Sequence, residues 1–140
     1  MGLDASAVAI AHARAKAHDR GLAARFVQGD ALRLSDLDER FDTVIDSGLL
    51  HVLSDEQMQL VIEGVRGVLA PGGHYGLLCF SERATLPGPR RLSRERIATL
   101  FRQGWEIKSI EAAHFAVLPG PGREDAEKAA AAWLVDLERT

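Results

Sequence analysis

A chain of 140 residues with 46% hydrophobic and 26% charged side chains has an ordinary globular composition, which excludes a disordered or fibrous protein and allows one domain with a core. The formal net charge of -3 gives no basic footprint for nucleic acid, and no apolar stretch approaches the ~20 residues of a membrane span. A single cysteine, Cys79, and the lack of a charged-then-apolar leader fit a soluble protein of the cytoplasm with no internal disulfide and no cysteine-rich zinc site.

At the start, Asp4 closes a scrap of apolar sequence and precedes a helix. The alanine-rich run from Ser6 to Arg20 predicts that helix, with Val8, Ile10, Ala11 and Ala15 on its buried face and Gly21 as its stop. Ala24 to Ala31 reads as a strand ending in Gly29-Asp30, and Leu32, Leu34 and Leu37 suggest a short helical turn or loop. Phe41 to Ile45 is the second clear strand, and its apolar, β-branched run Thr43 to Ile45 suits a strand buried on both faces. It runs into a polar turn holding Asp46, Ser47 and His51, and Ser54 with Gln57 three residues on forms a capping box for the next helix.

In that helix Met58, Val61, Ile62, Val65, Val68 and Leu69 recur at amphipathic spacing, with a stop at Ala70-Pro-Gly-Gly73. His74 to Phe80 is an almost continuous apolar run and predicts a central strand, followed by a loop from Ser81 to Arg91. Ser93 caps a helix whose inner face is Ile97, Leu100 and Phe101, closed by Gly104. Trp105 to Val117 alternates as a long strand, and Leu118 to Gly122 forces a loop. In the tail, Arg123 to Ala132 favours helix, whereas Trp133 to Arg139 fits either a helix or a final strand. The alternation of strand and helix predicts an α/β fold with a mostly parallel sheet and right-handed crossovers.

Open parallel sheets bind ligands at the carboxyl ends of their strands, so Asp46 is a candidate ligand contact on position alone. His51 has two readings: a general base whose pKa lies near working pH, or a polar residue stacked on a neighbour. Asp4 and Asp30 are either acceptors for ligand hydroxyl and amino groups or plain turn and cap residues. Cys79 reads as a buried core thiol, and His12, His18 and His74 as surface residues. His114 and Phe115 are candidates for a pocket lining. The arginines Arg83, Arg90, Arg91, Arg94 and Arg96 read as a solvated face, or as a lid or anchor for an acidic substrate. The histidine and carboxylate spacings predict no metal site.

Four ordered segments carry a resemblance: Gly2-Leu-Asp-Ala-Ser6, Gln28-Gly-Asp-Ala31, Phe41-Asp-Thr-Val-Ile-Asp46 with Ser-Gly-Leu-Leu-His51, and Val68-Leu-Ala-Pro-Gly-Gly73. Together they resemble the class I S-adenosylmethionine-dependent methyltransferases, of the small-molecule type related to thiopurine methyltransferases. The resemblance implies a Rossmann-like sheet with flanking helices, in strand order 3-2-1-4-5-7-6. It also implies S-adenosylmethionine as cofactor and a small-molecule thiol, hydroxyl or amine as methyl acceptor, with neither nucleic acid nor membrane as a partner. Asp4 and Ala5 would meet the ribose; Gly29, Asp30 and Ala31 the adenine; Asp46, Ser47 and Gly48 the methionine part. His51 and Asp46 would be the catalytic pair.

The family's glycine-rich loop would lie upstream of Asp4. Residues 1–140 are therefore expected to form a single but N-terminally truncated methyltransferase domain, with the first strand and most of the second missing and the fourth strand exposing an unpaired edge. That leaves an alternative, a non-catalytic remnant or split half that binds cofactor only with a partner chain or by self-association through the open edge. A phosphate-binding or receiver-type α/β domain fits the periodicity as well, but leaves the four segments unexplained.

Overall fold

The computed structural model describes residues 1–118, 120–121 and 125–140. Strand β1 (Gly2–Asp4) leads into helix α1 (Ala7–Asp19) and strand β2 (Phe26–Gln28); β1 and β2 pair in parallel as a two-stranded sheet. Helix α1 is capped by the Ser6 hydroxyl. Its buried stripe is Ile10 and Ala17 with half-buried Ala9 and Ala13, so the expected face shifts: Val8 is 65% exposed, and Ala11 and Ala15 face solvent. An alanine-rich helix carries too little hydrophobic contrast to announce its inner face. The leucines after β2 form the expected short turn, a 3-10 helix over Ala31–Asp36.

The second sheet has the order β3 (Phe41–Ser47), β4 (Leu69–Phe80), β6 (Ala131–Arg139), β5 (Trp105–His114). Only β3 and β4 run parallel there; β6 is antiparallel to both of its neighbours, so the sheet is mixed. Trp133 to Arg139, left open between helix and strand, belongs to that inserted strand. A four-residue helix α4 (Ala126–Ala129) precedes it, and the expected loop at Pro119 and Gly122 and helix start at Arg123 lie outside the described residues. Strand β5 ends at His114, short of the expected Val117.

One face of this sheet carries the core. Helix α2 (Asp55–Val68) packs Met58, Val61, Ile62 and Val65 against it, and helix α3 (Arg94–Leu100) adds Ile97 and Leu100. Opposite them stand the inward pairs Tyr75 with Leu137, Leu77 with Val135 and Cys79 with Trp133, all at most 1% exposed. The capping box at Ser54 and Gln57 is formed in both directions. Helix α2 passes straight into β4. The glycine and proline of 70–73 survive as an irregularity between the Phe41–Leu69 and Thr43–His74 pairs, with Gly72 at φ 75°.

The expectation that Thr43 to Ile45 is buried on both faces fails. Val44 and Asp46 point to the core, while Thr43 is exposed and Ile45 is 79% exposed. A β-branched run signals a strand, not how many layers cover it, and α2 and α3 cover only the inward side. Among the described residues β3 pairs with β4 alone, so its other edge is open. Among the described residues no helix is long and apolar enough to cross a membrane.

Candidate active site

The open edges of β1 and β3 bound one cavity of about 680 Å³. Val61, Val65, Val68 and Tyr75 line it from the core, and Leu32, Leu34 and Leu37 close it from the connection after β2. Asp4, Asp30 and Asp46, from the ends of β1, β2 and β3, all line it as well, with no lysine or arginine beside them. Of the residues expected to meet a cofactor, Asp4, Ala5, Gly29, Asp30, Ala31, Asp46 and Ser47 are on its wall. Gly48 and His51 are not; they turn away into a neighbouring aromatic cluster.

Each carboxylate is held differently. Asp4 accepts the Ser6 backbone N–H through Oδ1 at 2.7 Å, and Asp30 accepts that of Leu32 through Oδ1 at 2.9 Å. Each therefore acts as a turn cap and leaves Oδ2 without a hydrogen bond among the described residues. Asp46 is buried. Its Oδ1 accepts the Leu49 N–H at 2.7 Å, and its Oδ2 accepts the Leu50 N–H and the Tyr75 hydroxyl, both at 3.0 Å. Three donors on two oxygens leave little acceptor capacity, so Asp46 chiefly fixes the 47–50 turn. Tyr75 was hidden within an apolar run in the sequence. It is fully buried against Phe101 and Trp105, and burial with the Asp46 charge beside it pushes its hydroxyl pKa well up.

His51 is 4% exposed. Its Nδ1 accepts the Phe80 backbone N–H at 2.9 Å, its ring stacks on Phe80 with centroids 5.0 Å apart, and the Phe115 ring meets it edge-on at 5.7 Å. Gly48 has φ 91°, and a Cβ there would sit 3.6 Å from His51 Nε2 and 3.5 Å from the Phe115 ring. Burial lowers the His51 pKa; the Asp46 charge opposes that shift and the Arg91 charge adds to it.

The arginines are engaged within the fold. Arg90 and Arg96 pair with Asp55, while Arg83 and Arg94 flank the Trp133 ring, whose Nε1 donates to Glu82 at 2.9 Å. Arg91 lies over Phe80 and donates to the carbonyls of Leu86 and Pro89. His12, His18 and His114 are exposed. His74 is not a lone surface residue, since its Nδ1 lies 2.8 Å from Asp136 across the β4–β6 pair. Cys79 is buried, and desolvation pushes its thiol pKa up to about 12. Among the described residues no three metal-ligating side chains cluster.

Strand-end carboxylates around one apolar cavity, at the carboxyl edge of parallel strands, define an α/β domain of the kind that binds nucleotide-like cofactors. The sequence agrees: residues 1–73 match the family model described as a methyltransferase domain. The chain belongs to this family, the class I S-adenosylmethionine-dependent methyltransferases; the thiopurine-related subtype has no such support. A 2-heptyl-1-hydroxyquinolin-4(1H)-one methyltransferase of Mycobacteroides abscessus is 32% identical over 117 residues, 81% of this chain and 52% of that protein. The chain thus spans about half the length of that curated relative. A protein solved for the conversion of a disulfide bond into a thioacetal group during echinomycin biosynthesis is 32% identical, with TM-score 0.80 over 99% of this chain and 65% of its own. The fold also matches the N-methyltransferase NodS from Bradyrhizobium japonicum, in complex with S-adenosyl-L-homocysteine, with TM-score 0.71 at 19% identity over 98% of this chain and 64% of that one.

The strand orders β2-β1 and β3-β4-β6-β5 keep the neighbour relations of the implied family order.

Proposed function

We propose that this chain binds S-adenosylmethionine in the β1–β3 cavity and transfers its methyl group to a planar small molecule seated on Phe80, Phe115 and His51. The observation that carries this reading is the side-chain charge of the wall: three carboxylates and no lysine or arginine. A phosphate-bearing ligand would be repelled there, which disfavours a phosphate-binding α/β domain. S-adenosylmethionine presents ribose hydroxyls, an adenine amine, an ammonium and a sulfonium against a single carboxylate, so its donor and cationic groups complement the wall.

Asp4, with Ala5 beside it, offers its spare oxygen to the ribose, and Asp30, between Gly29 and Ala31, offers its own to the adenine amine. Asp46 holds Ser47 in place beside the methionine part and contributes its residual acceptor capacity to the ammonium. When bound, the cofactor supplies a methyl group already activated on sulfur, which leaves the protein to position the acceptor in line and exclude water. The hydroxyquinolone named for the Mycobacteroides relative is a flat heteroaromatic hydroxyl compound. An acceptor of that shape suits stacking against Phe80 and Phe115.

A second reading is favoured by one observation: the edges of β1 and β3 that face the cavity are both unpaired among the described residues. In it the chain is a remnant or split half, and binds cofactor only when a partner chain adds a parallel strand in that slot. Calorimetric titration of S-adenosylmethionine into the purified chain separates the two. Micromolar binding by the chain alone supports the first reading and sinks the second; no heat with the chain alone, restored by a partner, does the reverse.

A further inference from the structure

We propose that His51 acts as a neutral hydrogen-bond donor through Nε2–H, and that the methyl acceptor it selects is a heteroatom bound in its ionised form, such as an acidic phenolate, an N-hydroxy heterocycle anion or a thiolate. This rests on the methyl-transfer reading for its ligand class. The geometry of the ring carries the rest.

A neutral imidazole has one N–H and one lone pair, and the hydrogen bond made by one nitrogen fixes the role of the other. The Phe80 N–H points at Nδ1 from 2.9 Å, so Nδ1 must be the bare nitrogen and Nε2 must carry the proton. Nε2 has no hydrogen-bond partner among the described residues although the side chain is 96% buried. Among the described residues the buried side-chain nitrogen left without a partner is Trp105 Nε1, so Nε2 of His51 is not sealed from solvent and stays open to a ligand. It lies against Gly48, where a Cβ would come within 3.6 Å of it.

The same geometry removes His51 as a base. A second proton could enter only at Nδ1, where it would confront the Phe80 N–H. The charged groups facing the ring, Asp46 from β3 and Arg91 from the loop before α3, act in opposite directions, and burial decides for the neutral form. Nor does a neighbour replace it. Asp46 already accepts three hydrogen bonds, and the Tyr75 hydroxyl and Cys79 thiol are buried and hard to ionise.

An acceptor that keeps its proton therefore meets no group able to take it, whereas an anion meets a donor. The balance is then complete: the acceptor's electron pair forms the bond to the methyl carbon, the carbon–sulfur pair stays on sulfur, and anion plus sulfonium give two neutral products with no proton to move.

The test uses the full chain with 4-nitrophenol, whose hydroxyl ionises near neutral pH, as probe. In ¹⁵N-labelled protein, the imidazole spectrum of His51 should show bare Nδ1 and protonated Nε2, and stay so below pH 6.5, the ordinary imidazole pKa. The phenolate should shift the Nε2 resonance and bind more tightly above the pH at which the probe ionises than below it. His51→Asn keeps an acceptor for the Phe80 N–H but withdraws the donor from the Nε2 position, and should weaken phenolate binding about tenfold or more. His51→Gln can place an amide donor near Nε2 and should restore much of it. A protonated Nδ1 at neutral pH, preference for the neutral phenol, undetectable phenolate binding, or equal binding by the Asn variant would each overturn the assignment. Failure of S-adenosylmethionine to bind, with these His51 results intact, would instead refute the methyl-transfer reading.

Discussion

Tyr75→Phe isolates one bond in an otherwise unchanged core. The Tyr75 side chain is fully buried and its hydroxyl donates to Asp46 Oδ2 at 3.0 Å. Phenylalanine keeps the ring contacts with Phe101 and Trp105, so packing is conserved and only the hydrogen bond is lost. A bond to a charged group contributes about 1.5–3 kcal/mol, because the carboxylate left behind in a buried site has no water to replace it. For a domain of this size that corresponds to a fall in Tm of about 5–10 °C. Thermal unfolding by circular dichroism, with urea unfolding as a second measure, gives the value. A double-mutant cycle with Asp46→Asn should return a coupling of about 1–2 kcal/mol. The chain should also lose cofactor affinity, since Asp46 loosened from Tyr75 no longer fixes the turn at Ser47 and Gly48. An unchanged Tm, or a coupling near zero, would refute the view that Tyr75 and Asp46 form one unit.

Two further outcomes follow from buried titratable groups. Burial holds the His51 pKa below its unfolded value of 6.5, so the unfolded chain binds more protons in that window and stability falls as pH drops below 6.5 toward the folded pKa. Urea midpoints at pH 8 and pH 5 should therefore diverge less in His51→Asn than in the parent; equal divergence would remove His51 from the acid response. Cys79, with its thiol pKa pushed up to about 12 behind Trp133 and Leu77, should resist a thiol reagent at pH 8 in the folded chain and react fully once unfolded. Rapid labelling of the native protein would show that this part of the core opens.

The sequence by itself determined what depends on local spacing. The capping box at Ser54 and Gln57, the apolar stripe of α2, the Ser93 cap of α3 and the strand end at Asp4 are each written in neighbouring residues, and the structure reproduces them, whereas β2 stops at Gln28, two residues short of Asp30, and β3 runs on to Ser47. The four ordered segments likewise located most of the cavity wall. What only the tertiary structure decided involves partners distant in sequence. Tyr75 reaches Asp46 across the β3–β4 pair, 29 residues apart, and nothing in an apolar run announces a buried hydroxyl's partner. His51 was legible as a turn histidine, but the Phe80 N–H that fixes its tautomer comes from the end of another strand. The tail could not be assigned because helix propensity and β-pairing compete there, and its strand is stabilised by two flanking neighbours, β4 and β5, that a local window does not contain. Ile45 makes the same point in reverse: its β-branched run correctly predicted a strand, while its 79% exposure depends on which layers and edges surround that strand, a property of the assembled sheet.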